Sequence, residues 1–169
     1  MENSLAGSSI AAIFAAAGRL LRGRTTAVFS AEAYCTPCSN REKQALSKRA
    51  ARAFTGRGHV AKFEGAYHGI DDPAMISYMQ PVDASLGPAH RPHSVHSSAG
   101  LAPGTAESVV VLPFNDADAC ETILRDNAAD LAAVIIDPLS TASGLVLPQR
   151  AFLDRLRAVT RELGILLIF

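Results

Sequence analysis

The chain has 169 residues, of which 49% are hydrophobic, and its 16 basic and 16 acidic side chains give a net charge of zero. This length is typical of one domain with a sizeable core, and the balanced charge without a Lys/Arg cluster argues against nucleic acid as a partner. No apolar run approaches the roughly 18 residues of a membrane span, so no membrane partner is expected.

Residues 1–41 form a poorly patterned N-terminal segment. The three cysteines, Cys35, Cys38 and Cys120, are odd in number and unevenly placed, which indicates a reducing compartment and hence the cytoplasm. Cys35 and Cys38 form a lone C-x-x-C, a redox pair or half of a zinc site, but no second pair completes a metal cage. Arginines follow the apolar run 10–17, and such an Arg-bearing start is an alternative that would resemble an organelle transit peptide.

A regular pattern begins at Glu42, and residues 42–169 form the second predicted unit. Good helix formers predict a helix over Glu42–Phe54 that stops at Gly56, followed by a short strand over His59–Phe63. Residues 71–107 contain five prolines and no long periodic run, and a loop of this length is usually functional or disordered.

The last third of the chain alternates apolar runs with helical patterns. The runs are predicted strands because they are continuous and rich in Val, Ile and Leu, and the helices between them have start and stop signals. The predicted strands are Ser108–Leu112, Leu131–Ile136 and Ile165–Phe169. The first predicted helix is capped by Asn115 or Asp116 and carries Cys120, Ile123 and Leu124 on one side. The second predicted helix starts near Pro148 and ends at Gly164.

This alternation predicts an α/β fold with a mostly parallel sheet and helices on both faces. The chain stops at Phe169, on the last residue of a run predicted to be a buried strand. Five consecutive large apolar residues make a poor sheet edge, so we expect the chain to be truncated.

Several blocks of the chain, in register over residues 42–169, resemble class III pyridoxal-phosphate-dependent aminotransferases. The resemblance is closest to the glutamate-1-semialdehyde 2,1-aminomutase branch, and it implies part of the large domain of a fold-type I enzyme. The blocks are Ala53–Arg57, Ala61–Gly69, Leu112–Asp116, Ala132–Pro138, Phe152–Leu153 and Arg161–Phe169.

The resemblance implies that Tyr67 stacks on the pyridine ring of pyridoxal 5′-phosphate, with His68 and Gly69 lining the same cleft. From residue type alone, a core tyrosine at Tyr67 and a surface histidine at His68 would be favoured, and the surrounding block of resemblance reverses that preference. The family binds the phosphate with a Ser-Gly-Thr-Glu-Ala run, and counting back along the chain places Ser39, Asn40 and Arg41 there. Ser39 matches this run, as does the Glu that follows Arg41, whereas Asn40 and Arg41 differ from it.

Two chemical groups of the family have no counterpart in this chain. The carboxylate that pairs with the pyridine nitrogen would come directly after Phe169. The Schiff-base lysine matches none of Lys43, Lys48 and Lys62, so the chain contains no catalytic residue and is expected to be inactive alone.

The implied reaction is an amino-group transfer by a homodimeric enzyme on a small amino acid or amino-aldehyde. In the aminomutase branch, a Gly-Asn step follows the Glu-Pro strand end; here Asp137 replaces the Glu and Ala142 stands in the Asn place. This difference favours a related aminotransferase. The alternative is a non-catalytic remnant whose sheet serves only as a structural or dimerisation unit.

His90, His93 and His96 recur every three residues and could suggest a metal site. Pro92 lies among them in a loop-like setting, so they cannot share one face of a regular helix. The sequence therefore predicts no metal site.

Overall fold

The computed structural model describes residues 28–29, 40–79, 84–139 and 141–169. Its centre is a five-stranded sheet in the order β1-β5-β4-β2-β3, in which every pairing is parallel. This confirms the predicted α/β fold with a parallel sheet. The strands are β1 (Val28–Phe29), β2 (His59–Phe63), β3 (Val109–Leu112), β4 (Leu131–Ile135) and β5 (Leu166–Ile168).

Among the described residues, three α-helices connect the strands: α1 (Asn40–Thr55), α2 (Ala117–Asp126) and α3 (Arg150–Glu162). Of the two predicted caps for α2, Asp116 is the one used, because its Oδ1 accepts a 3.0 Å hydrogen bond from the N–H of Ala119. Helix α3 begins at Arg150 rather than at Pro148, which lies before its N-cap. Within the described ranges, no helix has the length and apolar character needed to cross a membrane.

The helices cover both faces of the sheet, as predicted. Helices α2 and α3 pack on one face, where the rings of Phe63, Phe114 and Phe152 meet with centroids 5.4 to 5.7 Å apart. Aromatic contacts of this kind stabilise a core beyond simple burial. Helix α1 packs on the other face through Ala51, which contacts the alanines of β4. Small side chains on both elements let the helix approach the strand closely.

The long segment between β2 and β3 lies over the α1 face of the sheet. It contains short 3₁₀ turns, and Ile76 forms an isolated antiparallel bridge with His96. The fully buried Ile76 side chain packs against Val60, Val109 and Val111 of the sheet. This part of the predicted loop is therefore part of the packed core.

Arg57 holds together the edge of the sheet at which the strands begin. Its Nη1 donates to the carbonyls of Leu131 at 3.2 Å, Leu163 at 3.4 Å and Gly164 at 3.2 Å. The guanidinium therefore joins the end of α1 to the start of β4 and the end of α3. The Leu163 and Gly164 carbonyls lie just past the end of α3, where backbone acceptors need a partner outside the helix.

Candidate functional site

The candidate site lies at the edge where the parallel strands end. Tyr67, His68 and Gly69 follow the end of β2, and Asp137 follows the end of its neighbour β4. In open parallel sheets, ligands bind just outside the carboxyl ends of the strands. The fold thus brings the residues predicted for the pyridine ring to the expected edge of the sheet.

The first turn of α1 reaches the same edge. Strands β1 and β2 run parallel in one sheet, so the helix between them must run back and begin beside the strand ends. Asn40 and Arg41 are the first two residues of α1, whereas the sequence placed them before a helix starting at Glu42; Ser39 lies outside the described residues. A helix's first turn presents backbone N–H groups and the positive end of its dipole, which favour a phosphate.

Tyr67 is half-buried and contacts a second aromatic ring. The centroids of the Tyr67 and Tyr78 rings are 4.9 Å apart, and the planes are tilted by 50°. Tyr67 therefore keeps part of its surface accessible while one side is supported. Sequence reasoning did not single out Tyr78, because it lies in the proline-rich segment where no regular pattern marks a side chain's direction.

His68 is buried, with 1% of its surface exposed, so the interpretation of this residue as a surface histidine is wrong. Neither ring nitrogen has a hydrogen-bond partner among the residues that the structure describes. Burial, with the positive charges of Lys62 and Lys48 nearby, lowers the pKa of His68 to about 3. The ring is therefore neutral at physiological pH, with one donor and one acceptor available to a polar group.

Two loops meet above the end of β2. Gly65 has φ +72°, and a Cβ at this position would lie 3.3 Å from Oγ of Ser143 in the loop between β4 and α3. A side chain at Gly65 would thus be strained and would crowd that loop. Ser143 consequently lies beside the turn that leads to Tyr67.

Lys62 points from β2 into the protein, and 1% of its surface is exposed. Its Nζ donates to the carbonyls of Ala74 at 3.0 Å and Ile76 at 2.5 Å. Burial, helped by the positive charge of Lys48, lowers the pKa of Lys62 to about 7. Its amine is therefore partly neutral near physiological pH, and its two hydrogen bonds hold the segment that follows the site.

A second lysine lies on the same face of the sheet. Lys48 of α1 is buried and forms an ion pair with Asp71, 2.8 Å from Nζ to Oδ1. Burial lowers the pKa of Lys48, and the Asp71 carboxylate opposes that shift. The sequence offered one signal for this cluster: Lys62 interrupts an otherwise apolar strand, which is unusual unless the amine has buried partners.

The loop after β4 is apolar and exposed. Leu139, Leu145, Val146 and Leu147 each present about half of their surface or more to solvent. Asn115 anchors the end of this loop, because its Nδ2 donates to the Leu147 carbonyl at 2.9 Å. This loop therefore presents apolar side chains to solvent.

The histidines of the proline-rich segment do not form a metal centre. Within the described part of the chain, no three His, Cys, Asp or Glu side chains are arranged to hold a metal ion. Nδ1 of His93 instead lies 3.2 Å from the Ser85 carbonyl. Cys35 and Cys38 lie outside the described residues.

Comparison with known proteins gives a family match over most of the chain. The family model described as Aminotransferase class-III matches residues 26–169. A glutamate-1-semialdehyde 2,1-aminomutase of Syntrophomonas wolfei is 40% identical over 131 residues, which are 78% of this chain and 28% of the relative. One from Roseiflexus castenholzii is 37% identical over 168 residues, 99% of this chain and 37% of the relative. The chain thus spans little more than a third of these curated relatives at most.

Solved structures of similar proteins have the same fold. An ω-transaminase from Sphaerobacter thermophilus superposes with a TM-score of 0.72 at 33% identity, covering 95% of this chain and 40% of that one. A glutamate-1-semialdehyde aminomutase variant from Pseudomonas aeruginosa PAO1, in complex with PMP, gives a TM-score of 0.63 at 27% identity, with 95% and 36% covered. The architecture is therefore that of part of a fold-type I transaminase domain.

Proposed function

Because the chain belongs to the class-III aminotransferase family, we propose that its carboxyl edge forms one wall of a pyridoxal 5′-phosphate site in an enzyme that transfers an amino group. The observation that carries the proposal is the position of Tyr67, a half-buried aromatic ring just beyond the end of β2. Bound there, pyridoxal phosphate supplies an electron sink for chemistry next to the substrate's amino nitrogen.

The residues present fit this cofactor in three ways. Tyr67 offers a flat face for the pyridine ring, and the first turn of α1 offers N–H groups for the phosphate. The neutral His68 ring has two unpartnered nitrogens, which can order a polar group or a water beside the site. Ser39, Asn40, Arg41 and Gly69 complete the proposed cofactor-facing set.

The chain's own lysines take no part in the proposed chemistry. Lys48 is paired with Asp71, and the Lys62 amine is held by two backbone carbonyls. Neither they nor Lys43 match the family's cofactor-anchoring lysine. We therefore expect this chain to bind the cofactor without covalent attachment and to catalyse no turnover by itself.

The proposed substrate is a small amino acid or amino-aldehyde, and the reaction is an aminomutation or an intermolecular transamination. The relatives named above as aminomutases favour the first, whereas Asp137 and Ala142 differ from the aminomutase pattern and favour the second. The proposal includes a cytoplasmic homodimer as the working form.

Binding of pyridoxamine 5′-phosphate to the chain tests the proposal. This probe carries an amine in place of the aldehyde, so it cannot react with surface lysines. We expect Tyr67→Ala to raise the Kd about tenfold through loss of ring stacking. The matched control is Phe54→Ala, since Phe54 is an exposed aromatic, 46% accessible, at the end of α1 on the opposite edge.

Two results would count against the proposal. Failure of the folded chain to bind pyridoxamine 5′-phosphate would refute it. So would equal affinities of the wild-type and Tyr67→Ala chains, and the sheet would then be best regarded as a structural remnant that packs without binding cofactor.

A further inference from the structure

The segment 74–79 is hydrogen-bonded both to the carboxyl end of β2 and to the turn that follows this strand. Lys62 donates to two of its carbonyls, those of Ala74 and Ile76. The N–H of Gly65 donates to the Ser77 carbonyl at 2.8 Å. These hydrogen bonds fix the position of the segment relative to β2, the strand that leads to Tyr67.

Ser77 turns the chain within this segment by adopting an uncommon conformation. It has φ 49°, in the left-handed region that non-glycine residues rarely adopt, and its exposed fraction is 0%. Its N–H donates to the Val95 carbonyl at 2.7 Å, and its Oγ donates to the His93 carbonyl at 2.9 Å. These bonds hold the turn in a conformation that an isolated serine would seldom adopt.

Tyr78 follows this turn and is held in the same way. Its N–H donates to Oγ of Ser97 at 2.8 Å, and its ring lies 4.9 Å, centroid to centroid, from the ring of Tyr67. Ile76 and Ser77 are fully buried, but the two tyrosines are only half-buried. The buried residues Ile76 and Ser77 thus fix the position of Tyr78, whose ring and that of Tyr67 lie partly exposed at the candidate site.

We propose that Tyr78 is a positioning residue that holds the ring of Tyr67 in the orientation in which Tyr67 stacks on the cofactor. This inference rests on the proposed function and adds a residue to the site. Tilted aromatic pairs at this distance attract each other, so the Tyr78 ring limits the rotation of the Tyr67 ring before any ligand arrives. Holding a ring in advance lowers the entropy lost on binding.

The arrangement is more costly than packing alone requires. A half-buried ring pair gains less from burial than a core pair does, yet it is built on a left-handed serine and on the six hydrogen bonds described above. A fixed ring orientation at the strand ends is the benefit that this construction provides.

The first test measures the ring pair without any cofactor. The chain has three tyrosines and no tryptophan, so Tyr34→Phe leaves Tyr67 and Tyr78 as the remaining tyrosines. Two coupled tyrosine rings this close give an exciton couplet in the circular dichroism of their absorption band. We expect the couplet in the Tyr34→Phe chain and its loss when Tyr78 is also replaced by Phe. Its absence from the folded Tyr34→Phe chain would overturn the proposal.

The second test measures the affinity for pyridoxamine 5′-phosphate. We expect Tyr78→Leu to weaken binding about threefold to tenfold, while Tyr78→Phe, which keeps the ring, stays within about twofold of wild type. Met79→Leu is the matched control, because Met79 is the next residue and 69% exposed. If Tyr78→Leu lacks the helical signal of the folded chain, Tyr78→Met takes its place with the same expectation.

The outcomes separate this inference from the proposed function. Wild-type binding that Tyr67→Ala weakens and Tyr78→Leu leaves unchanged would overturn the role of Tyr78 alone. No binding by the wild-type chain would overturn both. A weaker affinity of Tyr78→Leu together with a near-wild-type affinity of Tyr78→Phe supports both, because the affinity then depends on an aromatic ring at position 78.

Discussion

Replacing Lys62 by Met should change how the stability of the chain depends on pH. Lys62 is buried in the folded chain, and burial lowers its pKa from 10.5 to about 7. Between these values the unfolded chain binds a proton on this lysine that the folded chain does not bind. The free energy of unfolding therefore rises with pH across this window and falls as the pH drops towards 7.

The size of the effect follows from the two pKa values. A group with an ordinary pKa of 10.5 and a folded pKa of about 7 adds about 2 kcal/mol to the free energy of unfolding between about pH 7 and pH 9. Cys120 acts in the opposite direction above its ordinary pKa of 9.0, because its folded pKa is about 12. The measurement is therefore best confined to pH values up to about 9.

Urea unfolding of the wild-type and Lys62→Met chains, followed by circular dichroism at several pH values, measures the difference directly. We expect the wild-type stability to rise more steeply than that of Lys62→Met, with Lys48 adding a slope of the same sign to both. Lys62→Met also leaves the Ala74 and Ile76 carbonyls without their donor, so it should be least stable relative to wild type at the alkaline end. Lys43→Met on α1 serves as control. Parallel slopes for wild type and Lys62→Met would refute the reasoning.

Three further changes test other parts of the structure. His68→Leu should raise the free energy of unfolding by about 1 kcal/mol, because it removes two buried ring nitrogens that lack partners; a lower urea midpoint would show that the ring is satisfied. Arg57→Met should lower the free energy of unfolding by about 2–3 kcal/mol in the same assay, since three carbonyls lose a charged donor; an unchanged midpoint would contradict the described contacts. With the other two cysteines replaced by Ser, Cys120 should react with a colorimetric disulfide reagent at about pH 8 far more slowly in the native chain than in urea, because burial raises the pKa of its thiol to about 12; fast native reaction would show that the thiol is accessible.

Most of the sheet could be predicted from the sequence because its strands are continuous apolar runs with clear boundaries. Leu131–Ile135 and Leu166–Ile168 lie within runs predicted as strands, and Gly164, with φ 63°, ends α3 as expected. The order of the strands could not be predicted in this way. Apolar runs alone do not reveal which strand pairs with which, so the position of β2 between β3 and β4 came from the structure.

For the candidate site, sequence reasoning led to a hypothesis only where the family resemblance reached it. Tyr67 lies at the strand ends, where the resemblance implied that it would be, but its partner Tyr78 and the buried amine of Lys62 came from the structure. Both depend on the course of the segment after Gly69, which is set by hydrogen bonds between residues far apart in sequence. Local propensity contains no information on such bonds, and Ser77 even adopts a conformation that its residue type disfavours.

The hydrogen bonds from the Arg57 guanidinium to three distant carbonyls have a consequence for folding during synthesis. Two of its three acceptors lie 106 and 107 residues further along, so a ribosome releases the guanidinium well before those carbonyls exist. Until then α1 can pack against the strands already synthesised, but Arg57 cannot yet form its hydrogen bonds to the end of α3. Contacts of such long range slow folding. Until they form, the unpaired apolar strands of the nascent chain stay exposed and prone to aggregation. A chaperone that binds extended apolar segments would act on this protein during that interval.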